Sequence, residues 1–215
     1  MNFLELCKRL RQESGYAGTG PSSVVNQTGD ALRFVTWIQD ADLDIQHLRK
    51  DWHFMRAGLN QAVSSGTNSV AAPMDFNRMD KASLVLERAD GTNFYPSWLE
   101  PHLYRMVERE HSDTGGLPLY LTLENGLLKL FPTPNESVTI KADYFVKPVK
   151  MTANADEPRL PEEYHMAIVY YALMMYGAYD EASNAWQHAN SLWTQYLNQL
   201  NMTQLPELAL GGALA

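Results

Sequence analysis

A chain of 215 residues is long enough for one large domain or two small ones, and it can bury a substantial core without cross-links. It has a net charge of -8, 45% hydrophobic residues and a single cysteine, which excludes a disulfide framework and a cysteine-based metal site. No apolar run could span a membrane, and the amphipathic N-terminus lacks the apolar core of a signal peptide. We therefore expect a protein that has no membrane partner and is either intracellular or assembled inside a cell.

The charges are unevenly distributed along the chain. Residues 1–56 hold seven basic and seven acidic side chains, whereas residues 160–215 hold five acidic side chains and neither Lys nor Arg. Contacts to nucleic-acid phosphates are made mainly by Lys and Arg. The C-terminal quarter is therefore unsuited to gripping nucleic acid, and no part of the chain forms a basic arm.

Two helices are predicted near the N-terminus. Residues 2–13 are amphipathic and have Asn2 as an N-cap, and a second helical pattern runs from about residue 28 to residue 52. The connection, residues 14–28, contains three spaced glycines. A phosphate-binding loop would follow a strand and carry a lysine before its helix, so we interpret this stretch as a connector.

The middle of the chain is predicted to be rich in β-structure. The strongest signal is Asn125-Gly126 between the apolar runs 119–123 and 127–131, because a type I′ hairpin turn needs positive φ at both central residues. The other elements predicted here are strands at 54–63, 82–88 and 138–146 and a short helix near 98–110.

A helical hairpin is predicted over residues 160–201, with a break at Gly177. Its first helix is apolar on every side from residue 168 to residue 175, so we expect it to be buried all round. Its second helix has one apolar stripe, and its other face carries only Asn, Gln, Ser, Thr and His. Residues 182–206 contain no Asp, Glu, Lys or Arg.

This uncharged helix face is the main functional signal. A solvated helix face usually carries charged residues, and removing an amide from water costs less than removing a charge. The face therefore favours contact with another subunit or domain, although a solvated face that happens to lack charge is the alternative. The tail, residues 202–215, is apolar and too short to fold alone, so it is either docked on a partner or disordered. The candidate interface residues are Asn184, Gln187, His188 and Gln195 on the helix and Leu205, Leu208 and Leu210 in the tail.

Together these elements predict an α+β fold, in which a helical bundle built from the N- and C-terminal helices carries a β-rich insertion. The predicted segments are the N-terminal helices (1–53), the β-rich insertion (54–159), the C-terminal helical hairpin (160–201) and the extended tail (202–215).

Two Glu-x-x-His pairs, Glu108/His111 and Glu162/His165, have the spacing found in helical di-iron sites. Such a site also needs two glutamates from other long helices, and both pairs lie at helix ends, where solvated side chains are the simpler interpretation. The sequence also lacks the spacing of a serine-hydrolase elbow and of a zinc-binding helix. We expect no catalytic residue, no cofactor and no metal site; a di-metal helical enzyme is the weaker alternative.

The order of several motifs resembles a known family. They are residues 6–15 with Gly-Thr-Gly-Pro at 18–21, the Asn-Gly hairpin ending in Phe-Pro-x-Pro at 131–134, Asp-Tyr-Phe at 143–145, and 160–165 opening a helix rich in Tyr and Ala. This arrangement is similar to the head-to-tail adaptor (connector) proteins of tailed bacteriophages, the group related to tail tubular protein A. Residues 63–78 are the weakest part of the resemblance.

The resemblance implies a structural protein of the virion neck or tail that is assembled in the cytoplasm of a host bacterium. It implies a homo-oligomeric ring, usually of twelve copies, that docks on the portal protein and joins it to tail or nozzle proteins. DNA would pass through the ring without sequence-specific binding. In related adaptors a C-terminal segment reaches into the portal, which implies a role for the tail from Met202. Another neck or tail component, such as a tube or stopper protein, is the alternative.

Overall fold

The computed structural model describes residues 1–206 and divides the chain into two compact units. The helical unit comprises Met1–Met55 and the chain from Pro148 onward, and the β unit comprises Arg56–Lys147. In chain order, helices thus precede and follow a β-rich middle, which confirms the predicted α+β class. Residues 148–159, which we assigned to the insertion, lie in the helical unit instead. Their backbone bonds to the start of the first helix: the N–H of Phe3 donates to the carbonyl of Asp156 at 2.8 Å.

The helices are α1 (Phe3–Glu13), α2 (Gly29–Leu48), α3 (Pro101–Glu110), α4 (His165–Tyr179) and α5 (Ser183–Thr203). The strands are β1 (Arg56–Val63), β2 (Ser69–Ala71), β3 (Phe76–Met79), β4 (Val85–Arg88), β5 (Asn93–Phe94), β6 (Ser97–Trp98), β7 (Tyr120–Glu124), β8 (Leu127–Phe131) and β9 (Val138–Val146). No helix within residues 1–206 is both long and apolar enough to cross a lipid bilayer.

Helix α4 lies at the centre of the helical unit and packs against α1, α2 and α5. Every residue from Tyr164 to Gly177 is buried or half-buried, which confirms that the apolar run is surrounded by other parts of the unit. A helix with no polar face has no side suited to water, so this position follows from its sequence.

The two N-terminal helices begin close to the predicted residues. The side chain of Asn2 accepts a hydrogen bond from the N–H of Glu5 at 2.9 Å, and the Glu5 carboxylate accepts one from the N–H of Asn2, so the predicted N-cap is a capping box. Helix α2 ends at Leu48, earlier than predicted. Trp52 lies beyond the helix, yet it is fully buried, and its indole N–H is satisfied by a hydrogen bond to the carbonyl of Ile45.

The predicted break at Gly177 is wrong, since Gly177 lies inside α4. A Cβ atom at this position would lie 2.9 Å from the backbone nitrogen of Trp186 in α5. The glycine therefore permits the close approach of the two helices and does not end the first one.

Helix α4 ends in the turn that follows. Glu181 adopts the left-handed conformation with φ of 53°, and the N–H of Ala182 donates to the carbonyl of Gly177 at 2.9 Å. This is the hydrogen bond of a Schellman motif. Asp180 and Glu181 consequently lie in the turn, and α5 begins only at Ser183.

The β unit contains two sheets. One has the order β1-β9-β4-β5, with β3 also paired to β9, and the other has the order β2-β8-β7-β6. Strands β6 and β7 are parallel, and the other pairs of named strands are antiparallel.

The strands with local signals were predicted correctly. The β7–β8 turn has φ of 52° at Asn125 and 75° at Gly126, as a type I′ hairpin requires, and β9 spans the predicted residues. Strand β9 nevertheless leaves the hairpin that precedes it and forms the centre of the other sheet. The segment 63–78, which the sequence left unassigned, supplies β2 to one sheet and β3 to the other.

Candidate protein-interaction surfaces

The inner face of α5 is fixed by aromatic packing against α4. Trp193 is 7% exposed and meets the ring of Tyr171 edge-on with centroids 4.9 Å apart. Tyr196 lies against Tyr170 at 5.8 Å. These contacts set the rotation of α5 about its axis, and they turn the uncharged side of the helix away from the bundle.

That side is exposed along the length of the helix, and we call it the outer α5 face. It consists of Asn184, Gln187, His188, Ser191, Gln195 and Asn198, which are all exposed and recur at the spacing of one helix face. The four helix residues predicted as interface positions are therefore available to a partner. Within residues 1–206, the side chains of these four make no hydrogen bond or ion pair, so internal bonding does not explain why they are uncharged amides and an imidazole.

A surface groove continues the outer α5 face toward the start of the helix. It has a volume of about 490 Å³ and is lined by Gly177, Ala178, Glu181, Ser183, Trp186 and Gln187. The groove exists because Gly177 and Ala178 have almost no side chain opposite the first turn of α5. Trp186, on its wall, is 39% exposed. A large ring beside an open groove is a feature of protein-binding surfaces.

The predicted tail residues are only partly within the described structure. Leu205 is half-buried. Leu208 and Leu210 lie outside the described residues. Just before Leu205, the carbonyl of Gln204 accepts a hydrogen bond from the N–H of His53 at 2.8 Å, so the chain is attached to the helical unit up to this point.

Helix α3 leaves part of its apolar side exposed. Leu103 and Met106 are 42% and 50% exposed. The residue that packs inward is Tyr104, whose ring meets that of Phe131 edge-on. The helix begins at Pro101, after Trp98 has joined β6, and this shift places Tyr104 over the sheet. The β unit therefore has an exposed apolar helix face of its own.

The two Glu-x-x-His pairs do not form a metal site. Glu108 and His111 are both exposed at the end of α3. Among the residues that the structure describes, no group of three or more His, Cys, Asp or Glu side chains is placed to hold a metal ion.

His165 has a structural environment. Its Nε2 atom lies 2.9 Å from the carbonyl oxygen of Leu160, and its Nδ1 atom lies 2.8 Å from the amino group of Met1. Burial lowers the pKa of this imidazole, so the ring is neutral near pH 7, donates from Nε2 and accepts at Nδ1. Both ring nitrogens are used within the helical unit.

Cys7 is fully buried, and burial raises the pKa of its thiol to about 12. It therefore remains a neutral thiol at physiological pH, where a nucleophile would need to be a thiolate. Cys7 is therefore a core residue of the helical unit.

Asp42 interrupts the apolar stripe of α2, and the sequence alone does not predict its role. Asp42 is 2% exposed and accepts a hydrogen bond from the Gln46 side chain at 2.8 Å. The Gln46 amide also bonds both backbone groups of Val149, at 2.9 and 3.1 Å. Burial raises the pKa of Asp42 to about 7. The pair joins α2 to the returning chain, and its only local signal is the i, i+4 spacing.

The comparisons with known proteins agree with a protein built for contact with other proteins. A protein-family model described as SU10 adaptor protein matches residues 1–211. No curated protein matches the chain. Because the family match covers almost the whole length, the chain belongs to the SU10 adaptor protein family and is a structural head-to-tail adaptor of a phage virion, as its resemblance to these connectors implied.

Proposed function

We propose that this adaptor assembles into a ring of about twelve copies. The ring would dock on the portal protein, contact tail or nozzle proteins and let DNA pass through its centre. The ring would be assembled in the host cytoplasm and retained in the neck of the virion. The observation that carries the proposal is the outer α5 face, which is exposed on a 21-residue helix and carries no charge.

The chemistry of the outer α5 face fits a surface that becomes buried during assembly. Neutral amides lose less hydration free energy than charged groups when a partner covers them, and they can form hydrogen bonds across an interface. In a ring, each copy uses one surface to contact the preceding copy and a different surface to contact the next. The outer α5 face would supply one of these two surfaces.

The charge distribution fits a channel that does not hold DNA tightly. Each Lys or Arg that neutralises a phosphate strengthens binding and makes it dependent on salt. Residues 160–215 contain five acidic side chains and neither Lys nor Arg. A lumen lined by this part of the chain would repel the phosphate backbone and let the duplex slide.

The decisive experiment measures the mass of the purified protein by light scattering, alone and mixed with its portal protein. We expect a complex of about twelve copies that associates with the portal. A protein that stays monomeric at all concentrations and ignores the portal would refute both the ring and the docking. Binding to a tail tube protein but not to the portal would assign the chain to another position in the neck.

The tail is tested by deleting residues 207–215, which leaves the bond between His53 and Gln204 in place. We expect an unchanged thermal midpoint and weaker binding to the portal, because the deleted apolar segment would contact the partner. A matched variant with Leu208 and Leu210 replaced by Ser keeps the length and removes the apolar contact. Unchanged portal binding by both variants would show that the tail is not docked.

A further inference from the structure

Five aromatic side chains surround a pocket in the helical unit, which we call the aromatic pocket. They are Tyr16 from the α1–α2 connection, Phe34 and Trp37 from α2, and Tyr176 and Tyr179 from the end of α4. The volume is about 180 Å³, and Asp30, Arg33 and Asp180 complete the lining. A cavity of about 150 Å³ can hold benzene, so this one has room for the planar end group of a side chain.

The rings hold one another in place, with Trp37 at the centre. Its centroid lies 5.8 Å from that of Phe34, 6.0 Å from Tyr176 and 5.7 Å from Tyr179. Two of these contacts are edge-on, which is a favoured geometry for aromatic pairs. The pocket is therefore built from packed side chains, although Tyr16 and Tyr179 at its rim are exposed.

The charged groups of the pocket are not balanced. Asp30 accepts hydrogen bonds from the Tyr16 hydroxyl and from Nη1 of Arg33, the latter at 2.5 Å, so it has a cationic partner. Asp180 accepts a hydrogen bond from the Tyr176 hydroxyl at 2.9 Å, and among the described residues it has no ion pair. The pocket has two carboxylates and one guanidinium, so a cation could pair with Asp180.

The pocket already holds one guanidinium group against an aromatic face. The central carbon of the Arg33 guanidinium lies 4.4 Å from the centroid of the Tyr179 ring. Such stacking is typical of Arg, whose delocalised charge is weakly hydrated, and less so of Lys. The same chemistry can serve a second guanidinium that approaches the free side of Asp180.

We propose that the aromatic pocket binds an arginine side chain presented by a partner protein. The guanidinium N–H groups donate to Asp180, while the ring faces contact its plane and its alkyl stem. The wider charge of the unit favours such a partner, because the helical unit contains fourteen acidic and eight basic side chains. This site is separate from the outer α5 face, and arginine binding does not require a ring.

The test is ligand-observed saturation-transfer NMR on the full chain, which detects weak ligands of large assemblies. The probes are N-acetyl-arginine amide and its neutral isostere N-acetyl-citrulline amide. We expect saturable binding of the arginine probe with a dissociation constant of about 1 mM, and about tenfold weaker binding of the citrulline probe. Equal binding of the two probes, or no saturable binding of either, would overturn the proposal.

Two variants locate the site. Asp180→Asn removes the charge but keeps an oxygen that can accept the Tyr176 hydroxyl bond, and we expect it to reduce arginine binding about tenfold. Glu163→Gln removes the same charge from an exposed residue before α4 and should leave binding unchanged. Retained arginine binding in Asp180→Asn, or an equal loss in both variants, would refute the site. If Asp180→Asn does not fold, the two probes on the natural protein still decide.

The experiment separates this proposal from that of the ring. A protein that binds arginine but stays monomeric and ignores the portal would retain the aromatic pocket and refute the ring. A complex of twelve copies that binds the two probes equally would retain the ring and refute arginine binding by the aromatic pocket.

Discussion

Helices α4 and α5 follow each other in the chain and pack together. Both lack Asp, Glu, Lys and Arg, but the reason for this absence differs between the two helices. In α4, eight of 15 residues are buried and the rest of its apolar run is half-buried, so charge would be costly. In α5, only three of 21 residues are buried. Burial within the chain accounts for the composition of α4 and leaves that of α5 unexplained.

The comparison shows that the absence of charge in a helix is an ambiguous signal until burial is known. Because the outer α5 face is exposed, burial within the chain does not explain why it lacks charge, and desolvation by another protein is the reason that we propose. Membership of an adaptor family supplies a context in which such contacts form.

The largest effect is expected where α5 does contribute to the core. Trp193→Ala should lower the free energy of unfolding by about 3–5 kcal/mol, because it removes a buried ring packed on Tyr171. Trp186→Ala, at a ring that is 39% exposed, should cost about 1 kcal/mol and serves as the control. Urea unfolding at two protein concentrations measures both variants and reveals any contribution from oligomers. A loss near zero for Trp193→Ala would place that ring in an interface between copies.

Asp42, a buried carboxyl group in α2, tests the free-energy cost of burying a charge, which is the cost that the uncharged helix α4 avoids. The folded pKa of Asp42, about 7, lies above its unfolded value of about 4. The stability contributed by its bound proton is therefore fully present below about pH 4 and is lost as the pH rises through about 7. Asp42→Asn, which mimics the protonated form, should raise the free energy of unfolding by about 2–3 kcal/mol at pH 8 and have almost no effect at pH 4.

The control for this variant is Asp40→Asn on the same helix. Asp40 forms an exposed ion pair with Lys150 at 3.5 Å, and its loss should change stability by less than about 0.5 kcal/mol at either pH. Equal effects of the two variants at pH 8 would mean that burial does not penalise the Asp42 carboxylate.

The contact between α4 and α5 is sensitive to a single carbon atom. Gly177→Ala should cost about 1–2 kcal/mol, because a Cβ atom would lie 2.9 Å from the Trp186 nitrogen and push the helices apart. Gly58→Ala, where nothing lies within 4 Å of the added carbon, should be close to neutral. Thermal unfolding of both variants checks this result. A stabilised Gly177→Ala variant would show that helix propensity outweighs the close approach.

Local signals in the sequence predicted individual helices, strands and turns. Strand pairing and helix packing could not be predicted, because contacts between distant residues determine them. The capping box at Asn2 and the turn at Asn125-Gly126 were visible because a few neighbouring residues determine them. Strand β9 was visible for the same reason, but its pairing in the other sheet was not, because its partners are distant in the chain. Gly177 was misread because its packing partner, Trp186, lies in the next helix.

The two candidate sites also differ in how far the sequence could predict them. The outer α5 face could be predicted because one helix carries all of it. The aromatic pocket could not, since the loop residue Tyr16 meets α2 and α4 only after folding. The sequence contains no spacing that connects these three segments.

The smallest effect on folding is expected on the outer α5 face, where the effect on assembly should be large. Gln195→Lys adds a charge to an exposed residue and should change the free energy of unfolding by less than about 0.5 kcal/mol. If a neighbouring copy covers this face, the unpaired ammonium group must lose its water, and ring formation should weaken at least about tenfold. Gln12→Lys adds the same charge to the exposed side of α1 and controls for net charge. If light scattering gives the same mass for the Gln195→Lys complex as for the natural protein, the outer α5 face remains solvated. The absence of charge in α5 would then have no functional cause.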